Sequence, residues 1–364
     1  VSRLPITWLF QIMNADRSKS EHAWLQNNLV CPRDGAPLIQ TQDQLSCGQD
    51  HDYPIIEGIP ILLMNEVPQT LSVANASLGQ RQEGGDPYRI TTLGLSDAEK
   101  EELEEALRHK VFARIDSIDP VVSFLVGATN GIAYRHLIGK LAKYPIPKLR
   151  LPPGNGQVFL DVGCNWGRWS IAAAQNGYLA IGLDPSLGAV LAAKRVADKL
   201  GLSACFIVAD ARFLPFRSGC ANVAFSYSVL QHFSRSDAEH AITEMGRVLH
   251  PGGRTYVQMP TVFGVRCIYH QLRRRFREAQ GFEVRYWTIP ALRRVFANKI
   301  GPTSVSVDCY FGIGLQASDR HLMPFTRKLA INGSELLRKV ARMIPGVSYL
   351  ADSVYVESIR RSSQ

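Results

Sequence analysis

The sequence predicts an α/β protein built on a doubly wound, mostly parallel sheet. Between residues 157 and 260, short apolar runs alternate with helical patterns, and this alternation is typical of a parallel sheet with helices on both faces. The first run, Val158–Val162, leads into a turn that contains Gly163 and Gly167 and then into a helical pattern. A strand, a tight glycine turn and a helix N-terminus together open a nucleotide-binding unit.

Composition sets the broad class of the protein. The chain has 364 residues, of which 46% are hydrophobic, so it can bury a full core, and its length favours two or three structural units. No run reaches the roughly 18 apolar residues of a membrane span, and the N-terminus lacks a signal-peptide layout. We therefore expect a cytoplasmic protein, with association to a membrane surface as an alternative. The seven cysteines are odd in number and widely spaced, which favours free thiols over structural disulfides. The formal net charge of +9 favours anionic partners.

The N-terminal region divides into a tail, residues 1–25, and a compact module, residues 26–66. The module has two short knuckles separated by a hairpin, an arrangement that brings four ligands to one tetrahedral zinc ion. The candidate ligands are Cys31, Asp34, Cys47 and His51. A carboxylate at a thiolate position weakens zinc binding, so a metal-free ribbon held by its apolar tail is an open alternative.

This module resembles a known ribbon family. Its tail, residues 53–60, reads Tyr-Pro-Ile-Ile-Glu-Gly-Ile-Pro, which is similar to the tail of the zinc ribbon in the tRNA-methyltransferase activator family. The spacing of Cys47 and His51 resembles the ribbon fused to some ribosomal RNA guanine methyltransferases. The resemblance implies a ribbon fold and zinc as a candidate ligand.

Residues 67–150 predict a polar linker followed by helical segments. A capping box at Ser96–Glu99 starts one helix, and apolar positions at four-residue spacing continue it to Ile115. A second helical pattern covers Val121–Leu141 and is interrupted by Gly127 and Gly131. Pro and Gly residues then mark a boundary before the main unit, residues 151–261.

The glycine turn distinguishes two classes of nucleotide ligand. A dinucleotide site has the spacing Gly-x-Gly-x-x-Gly, whereas here Asn165 takes the middle position and Gly167 comes one residue early. This argues against NAD. The pattern Asp161-x-Gly163-x-Asn165-x-Gly167 instead resembles the first motif of class I S-adenosylmethionine-dependent methyltransferases, including ubiquinone-biosynthesis-like domains.

Later motifs strengthen this resemblance, because they follow successive predicted strands in the family's order. The resemblance implies that Asp184 binds the ribose hydroxyls and that Asp210 and Ala211 contact the adenine. It also implies a seven-stranded Rossmann-like methyltransferase sheet and S-adenosylmethionine as the cofactor. The predicted cofactor-binding residues are Asp161, Gly163, Asn165, Trp166, Gly167, Asp184, Asp210, Ala211 and Ser226.

Methyl transfer from a sulfonium needs mainly an aligned acceptor and the transfer of one proton. His232 is the first candidate for a general base, because it follows the fourth strand and imidazole titrates near neutral pH. Tyr227 is a second candidate catalytic residue. A nitrogen or an acidic hydroxyl as the acceptor would need no base.

The C-terminal part, residues 262–364, predicts lid helices and two strands that complete the sheet, Val305–Phe311 and Ser353–Ile359. In the first insertion, Ile268, Leu272 and Phe276 share one helix face, and arginines occupy the remainder. This basic amphipathic helix could cover the crevice, lie on an anionic membrane surface, or bind phosphates of RNA or a lipid-linked substrate. A second insertion covers residues 321–344.

These observations predict a methyltransferase for a small-molecule, glycan or lipid-linked acceptor. An RNA methyltransferase acting on rRNA or tRNA is the first alternative, because of the ribbon and the basic helix. The sequence lacks the Asn-Pro-Pro-Tyr type of motif for exocyclic amines at residues 226–229. A non-catalytic scaffold that binds S-adenosylmethionine is the second alternative.

Overall fold

A computed structural model describes most of the chain: residues 20–41, 43–64, 66–67, 95–108, 118–130, 132–312 and 314–362. The strands are β1 (Ile39–Gln40), β2 (Gln44–Ser46), β3 (Asp52–Ile56), β4 (Ile59–Leu62), β5 (Val158–Val162), β6 (Leu179–Asp184), β7 (Cys205–Ala209), β8 (Ala221–Tyr227), β9 (Leu249–Pro260), β10 (Thr303–Cys309) and β11 (Ser353–Ile359). The helices are α1 (Asp97–Arg108), α2 (Pro120–Thr129), α3 (Arg168–Gln175), α4 (Leu187–Lys199), α5 (Arg235–Val248), α6 (Val265–Arg273), α7 (Ile289–Lys299) and α8 (Phe325–Met343). A further helical segment covers residues 20–28.

All these strands form one sheet in the order β1-β2-β3-β4-β7-β6-β5-β8-β9-β11-β10. The strands from β4 to β9 in this order pair in parallel, and β11 is antiparallel to both β9 and β10. The seven strands β5 to β11 reverse their order at β5, which confirms the predicted doubly wound Rossmann-like sheet. The reversal point is where such sheets open a ligand crevice.

The central strand β5 is buried along its whole length because helices cover both faces of the sheet. Its side chains alternate between the two faces. Leu160 and Val162 pack in one cluster with residues of α5 and α7. Phe159 packs on the other face with Trp169 of α3. The strand that carries the glycine turn is therefore held rigidly from both sides.

The N-terminal module, which was predicted to be a ribbon, extends the sheet and does not stand apart from it. Its strands β1 to β4 form an antiparallel meander. Its last strand, β4, then pairs in parallel with β7, with Ile61 opposite Val208 and Leu62 opposite Ala209. The sheet is therefore eleven strands wide where seven were expected. The predicted domain boundaries themselves stay a prediction.

One helical prediction needs correction. Helix α6 ends at Arg273, and Phe276 has a left-handed backbone with φ of 55°, so Phe276 does not continue the helix face of Ile268 and Leu272. The second helical pattern was predicted with an interruption. In the structure its α-helix stops at Thr129, and a 3₁₀ helix, Ile132–Leu137, follows.

Some predictions lie outside the described residues. These are the tail before residue 20, the linker at residues 68–94, and the end of the first helical pattern at residues 109–117. Among the helices that the structure describes, none has the length and apolar character to cross a bilayer.

Candidate active site

Three acids mark the carboxyl ends of neighbouring strands. Asp161 lies in β5, Asp184 ends β6, and Asp210 directly follows β7. In the ladder, Asp161 is opposite Gly182, and Asp184 is opposite Val208. Because the strands are parallel and adjacent, the acids meet at one edge of the sheet, which we call the donor crevice. The structure thus brings these predicted residues together.

The turn after β5 requires both of its glycines. Gly163 has a φ of 81° and Gly167 a φ of 78°, in the left-handed region that favours glycine. A Cβ at Gly163 would lie 2.3 Å from the Val229 side chain, and one at Gly167 would lie 2.9 Å from Ala193. Backbone conformation and close packing therefore exclude larger residues at both positions.

Asn165 joins the glycine turn to the acid of β6. Its φ is 49°, which asparagine tolerates better than most residues. Its backbone N–H donates to Oδ2 of Asp184 at 3.0 Å, and the N–H of Ser186 donates to Oδ1 at 2.9 Å. Asn165 Oδ1 accepts from the N–H of Trp166 at 2.8 Å. Two backbone donors therefore fix the Asp184 carboxylate.

Trp166 points into the core. Its side chain is only 1% exposed, and its ring lies 6.1 Å from the ring of Tyr144. Contact between Trp166 and a cofactor stays a prediction. The observed packing explains why a large aromatic residue stands in the turn without closing the donor crevice.

Burial perturbs two acids of the donor crevice. It raises the pKa of Asp161 to about 7, although Ser170 Oγ donates to its Oδ2 at 2.7 Å, and it raises the pKa of Asp184 to about 6. Within the described part of the chain, no cationic side chain contributes to either pKa. A buried carboxylate without a counter-charge is costly. A ligand that carries positive charge would relieve this cost, and S-adenosylmethionine carries it on its sulfonium and ammonium groups.

Asp210 is engaged by an arginine that the sequence analysis did not select. The Arg212 guanidinium donates to Oδ2 of Asp210 at 2.7 Å and to Oδ1 at 3.1 Å, and the Arg212 backbone N–H donates to Oδ1 at 2.9 Å. Arg212 also pairs with Asp237 at 3.2 Å. A ligand amino group would have to share the Asp210 carboxylate with Arg212. The adjacent Ala211 is buried.

Ser226 holds two strands together. Its Oγ donates to the carbonyl of Val162 at 2.8 Å, which links β8 to β5, and the residue is buried. The hydroxyl is thus used inside the sheet. Its predicted contact with the methyl donor stays a prediction.

His232 is a neutral imidazole beside the end of β8. Its Nδ1 lies 2.7 Å from the carbonyl oxygen of Phe282, so Nδ1 donates and Nε2 carries the lone pair. The Phe282 ring stacks on the imidazole at 3.7 Å, and the Gln231 amide lies 3.3 Å from Nε2. Burial, aided by the charge of Arg285, lowers the pKa of His232 to about 4. The side chain is therefore an acceptor at neutral pH.

Tyr227 belongs to a buried polar network that sequence reasoning missed. Its hydroxyl donates to Oδ2 of Asp308 at 2.8 Å and accepts from Nε2 of Gln316 at 2.5 Å. Arg150 pairs with Asp308 at 3.3 Å. Burial first, and then the charge of Asp308, holds the pKa of Tyr227 well above its ordinary value. The environment therefore keeps the phenol protonated. The one available signal was Asp308, an acid inside an apolar strand pattern.

The four predicted zinc ligands also meet in space. The ligand atoms of Cys31, Asp34, Cys47 and His51 all lie within 4.8 Å of one another. His51 Nδ1 lies 3.4 Å from the sulfur of each cysteine and 3.2 Å from Asp34 Oδ2. Such a group can surround one tetrahedral ion.

A cavity of about 1000 Å³ lies elsewhere, between the ribbon and the helix–strand layer of the core. Leu25, Leu45 and Lys194 are among its lining residues. Its lining includes none of the predicted donor-binding residues, so the two features are separate.

Comparison with known proteins identifies the family of the central region. Residues 159–253 match the family described as a methyltransferase domain. A mouse (Mus musculus) relative, the tRNA (carboxymethyluridine(34)-5-O)-methyltransferase ALKBH8, is 26% identical over 184 residues, which cover 50% of this chain and 24% of the relative. The chain thus spans about a quarter of the length of that curated relative.

Solved structures are similar at low identity. The YcgJ protein of Bacillus subtilis is 17% identical with a TM-score of 0.41 and coverages of 58% of this chain and 94% of that one. Magnesium protoporphyrin IX methyltransferase of Synechocystis PCC 6803, solved with bound SAH, is 15% identical with a TM-score of 0.40 and coverages of 79% and 95%. A chain from a complex with the Trm112 methyltransferase activator of Haloferax volcanii is 18% identical with a TM-score of 0.42 and coverages of 59% and 86%.

The family match covers β5, the glycine turn and the strands that carry Asp184 and Asp210. It agrees with the resemblance that the motifs suggested and with the doubly wound sheet. Residues 159–253 are a methyltransferase domain of the class I, S-adenosylmethionine-dependent kind.

Proposed function

We propose that the protein transfers the methyl group of S-adenosylmethionine to a small-molecule, glycan or lipid-linked acceptor. The observation that carries the donor assignment is the pair of buried acids, Asp161 and Asp184, beside the glycine turn. Their environment favours a cationic ligand. When bound, the donor supplies a methyl group on a sulfonium, which has a good leaving group.

Each donor-side residue has a distinct role in this proposal. Gly163 lets the backbone approach the ligand closely. Asp161 faces the positive charge, and Asp184 accepts hydrogen bonds from the ribose hydroxyls. Helix α3 begins at Arg168, and its N-cap residue, Gly167, has no side chain, so the first N–H groups of the helix are not used by a capping side chain.

The remaining work is to align the acceptor and to accept one proton. The methyl–sulfur bond breaks as the acceptor–methyl bond forms, and the acceptor loses a proton. We assign the proton to Nε2 of His232, which carries a lone pair beside the end of β8. Because burial lowers the pKa of His232 to about 4, this imidazole is a weaker base than the near-neutral one that the sequence predicted. Tyr227 remains protonated. Because its hydroxyl already donates to Asp308 and accepts from Gln316, we assign only its second lone pair to orienting the acceptor.

The inserted helices support an enclosed, small or lipid-linked acceptor. Helix α6 follows β9, and α8 precedes β11. Pro260 at the end of β9 lies opposite Ser353 at the start of β11, so both insertions join the sheet at the edge of the donor crevice. In this proposal the two insertions border the acceptor side and favour an acceptor smaller than a folded RNA.

An RNA acceptor is the second candidate. It is favoured by the relative whose name specifies a tRNA uridine and by the arginines that follow β9. Incubation with donor labelled on the methyl group and separate RNA, lipid and small-molecule fractions distinguishes the two. Label in lipid or small molecules supports the first proposal, and label confined to RNA refutes it. Donor binding without turnover on any fraction would favour the scaffold.

We also propose that the ribbon binds one zinc ion through Cys31, Asp34, Cys47 and His51. Support comes from their mutual distances and from a further hydrogen bond: the Tyr53 hydroxyl lies 3.1 Å from Cys31 Sγ, and Arg33 donates to the Tyr53 oxygen at 2.9 Å. Donors around a thiolate stabilise its negative charge and orient it. The ion would hold the two knuckles together as a structural site.

A further inference from the structure

We propose that two segments, residues 263–277 and 325–350, form a membrane-binding surface that docks the protein on anionic lipid bilayers. We call them the amphipathic surface. The inference deepens the proposed function by giving a lipid-linked acceptor a route to the donor crevice. Binding to the bilayer itself does not depend on which acceptor is methylated.

Exposed apolar side chains are concentrated in this part of the molecule. Among the described residues, 17 large hydrophobic side chains are exposed, and 13 of them lie within residues 263–277 and 325–350. The other four are Ile39, Leu200, Phe282 and Ile359. Scattered apolar residues are normal on a protein surface, but a concentrated set marks an interaction site.

Helix α8 has two apolar faces. Ile331 and Ala341 on its inner face are buried against the protein. Leu329, Leu336 and Met343 follow one another at seven-residue spacing, so they form one outward line, and they are 55%, 63% and 84% exposed. An outward line of this kind is expected to be polar on a helix that meets only water. It therefore needs a partner.

Helix α6 repeats this arrangement. Cys267 is its buried residue, whereas Val265, Ile268, Tyr269 and Leu272 are exposed. The predicted basic amphipathic helix is thus present, but its apolar face points outward. It does not pack against the protein as a covering helix would.

Charge identifies the partner. Residues 263–277 and 325–344 together contain ten Lys or Arg and one acid, a formal charge of +9, which equals the net charge of the whole chain. The rest of the chain contains 31 Lys or Arg and 31 Asp or Glu, so its formal charge is zero. Apolar side chains bordered by Lys and Arg are the pattern of helices that lie in the interface of an anionic bilayer. RNA would use the cations but leave the apolar side chains in water.

The two segments are joined at the donor edge of the sheet. Oδ1 of Asp352 accepts from the N–H groups of Arg266 and Cys267 at 2.7 and 3.1 Å. Asp352 lies two residues after the exposed Leu350, so the end of one segment meets the start of the other. Strand β9, which leads into α6, is parallel to β8 and ends at the edge where the acids lie. A lipid-linked acceptor could therefore reach the crevice without leaving the bilayer.

Co-sedimentation with vesicles of phosphatidylcholine alone, or mixed with phosphatidylglycerol, tests the proposal. We expect the full chain to bind the anionic vesicles, to bind neutral vesicles much less, and to be released by salt. The double variant L329E/L336E should lose at least about tenfold in vesicle affinity, because it places two charges in the apolar line. The matched control I39E/L200E makes the same changes on exposed residues elsewhere and should bind as the wild type does.

The proposal is overturned if the full chain binds neither the neutral nor the anionic vesicles. It is also overturned if L329E/L336E and I39E/L200E bind the anionic vesicles with equal affinity. Binding to RNA without binding to vesicles also overturns it and favours an RNA partner. S-adenosylmethionine titration of each variant reports folding and tests the donor assignment separately. If vesicles are bound but the donor is not, the proposed methyltransferase activity fails and the membrane surface stands.

Discussion

The backbone N–H of Asn165 donates a hydrogen bond to the carboxylate of Asp184 at 3.0 Å. This bond joins the turn after β5 to the end of β6, so the two donor-side elements cannot move independently. It also explains why asparagine can stand where a dinucleotide site has glycine: the left-handed backbone is retained and its N–H holds the neighbouring acid.

Replacing Asp184 with alanine should weaken S-adenosylmethionine binding by roughly 30- to 100-fold, because a charged acceptor and the anchor of the Asn165 turn are both lost. Isothermal titration calorimetry measures this change. Asp97→Ala removes an exposed acid of α1 and should leave affinity unchanged. An Asp184→Ala protein that is folded and binds the donor as tightly as the wild type would contradict the assignment.

Donor affinity should increase as the pH rises from about 5.5 to 7.5. The pKa of Asp161 in the free protein is about 7. A cationic donor favours the carboxylate, so donor binding lowers this pKa and releases a proton. Affinity is then lowest when Asp161 is protonated, and it reaches a plateau above the free-protein pKa, with at most about a tenfold gain per pH unit from this residue. Titration calorimetry in buffers of different ionisation enthalpy measures the released protons.

The Asp161→Asn variant keeps the size of the side chain and removes its titration. Its donor affinity should be lower at pH 7.5 and should vary less with pH than that of the wild type. Asp184, whose pKa burial raises to about 6, would supply the remaining dependence. A wild-type affinity that is constant across this pH range would count against a buried acid facing the donor.

Replacing His232 with alanine should lower the turnover number by about 10²- to 10³-fold while donor affinity stays constant, if the acceptor needs a base. His240→Ala on α5 is the matched control, since His240 is exposed. Because burial lowers the pKa of His232 to about 4, its base form is present throughout pH 5 to 8. The wild-type rate should therefore lack an acidic limb near pH 6.5, and finding one that His232→Ala abolishes would contradict the described environment.

Metal analysis of protein purified without chelators or a His tag should find close to one zinc per chain. Cys31→Ser and Cys47→Ser should each reduce the zinc content strongly, because each removes a thiolate ligand. Cys220→Ser changes a cysteine outside the cluster and should retain the metal. Zinc near zero in the wild-type protein would support the metal-free ribbon.

Local patterns revealed the central fold and the donor motifs. Val158–Val162 and Ser353–Ile359 were predicted with the bounds that the structure has. The reason is that alternation, glycine turns and strand-end acids are encoded within short windows of sequence. The methyltransferase prediction was confirmed for the domain that carries these motifs, while the roles of individual site residues and of zinc stay predictions.

Long-range contacts were beyond reach of the same reasoning. Arg212 lies only two residues after Asp210, but no motif or period indicated that it also reaches Asp237, 25 residues further along the chain. Asp308 and Gln316 meet Tyr227 only because β10 and the segment after it return to the acceptor side. Periodicity identified the amphipathic character of α6, but only the packing of Cys267 reveals that the apolar face is outward.

The pairing of β4 with β7 has a consequence for self-association. Without β4, strand β7 would present unpaired backbone groups at the rim of the sheet, where a strand of another molecule could add. The ribbon occupies that rim, and the sheet now ends on that side at β1, which has only two residues and offers little backbone for pairing. By covering the edge of β7, the strand that leads into Asp210, the N-terminal module therefore disfavours edge-to-edge aggregation.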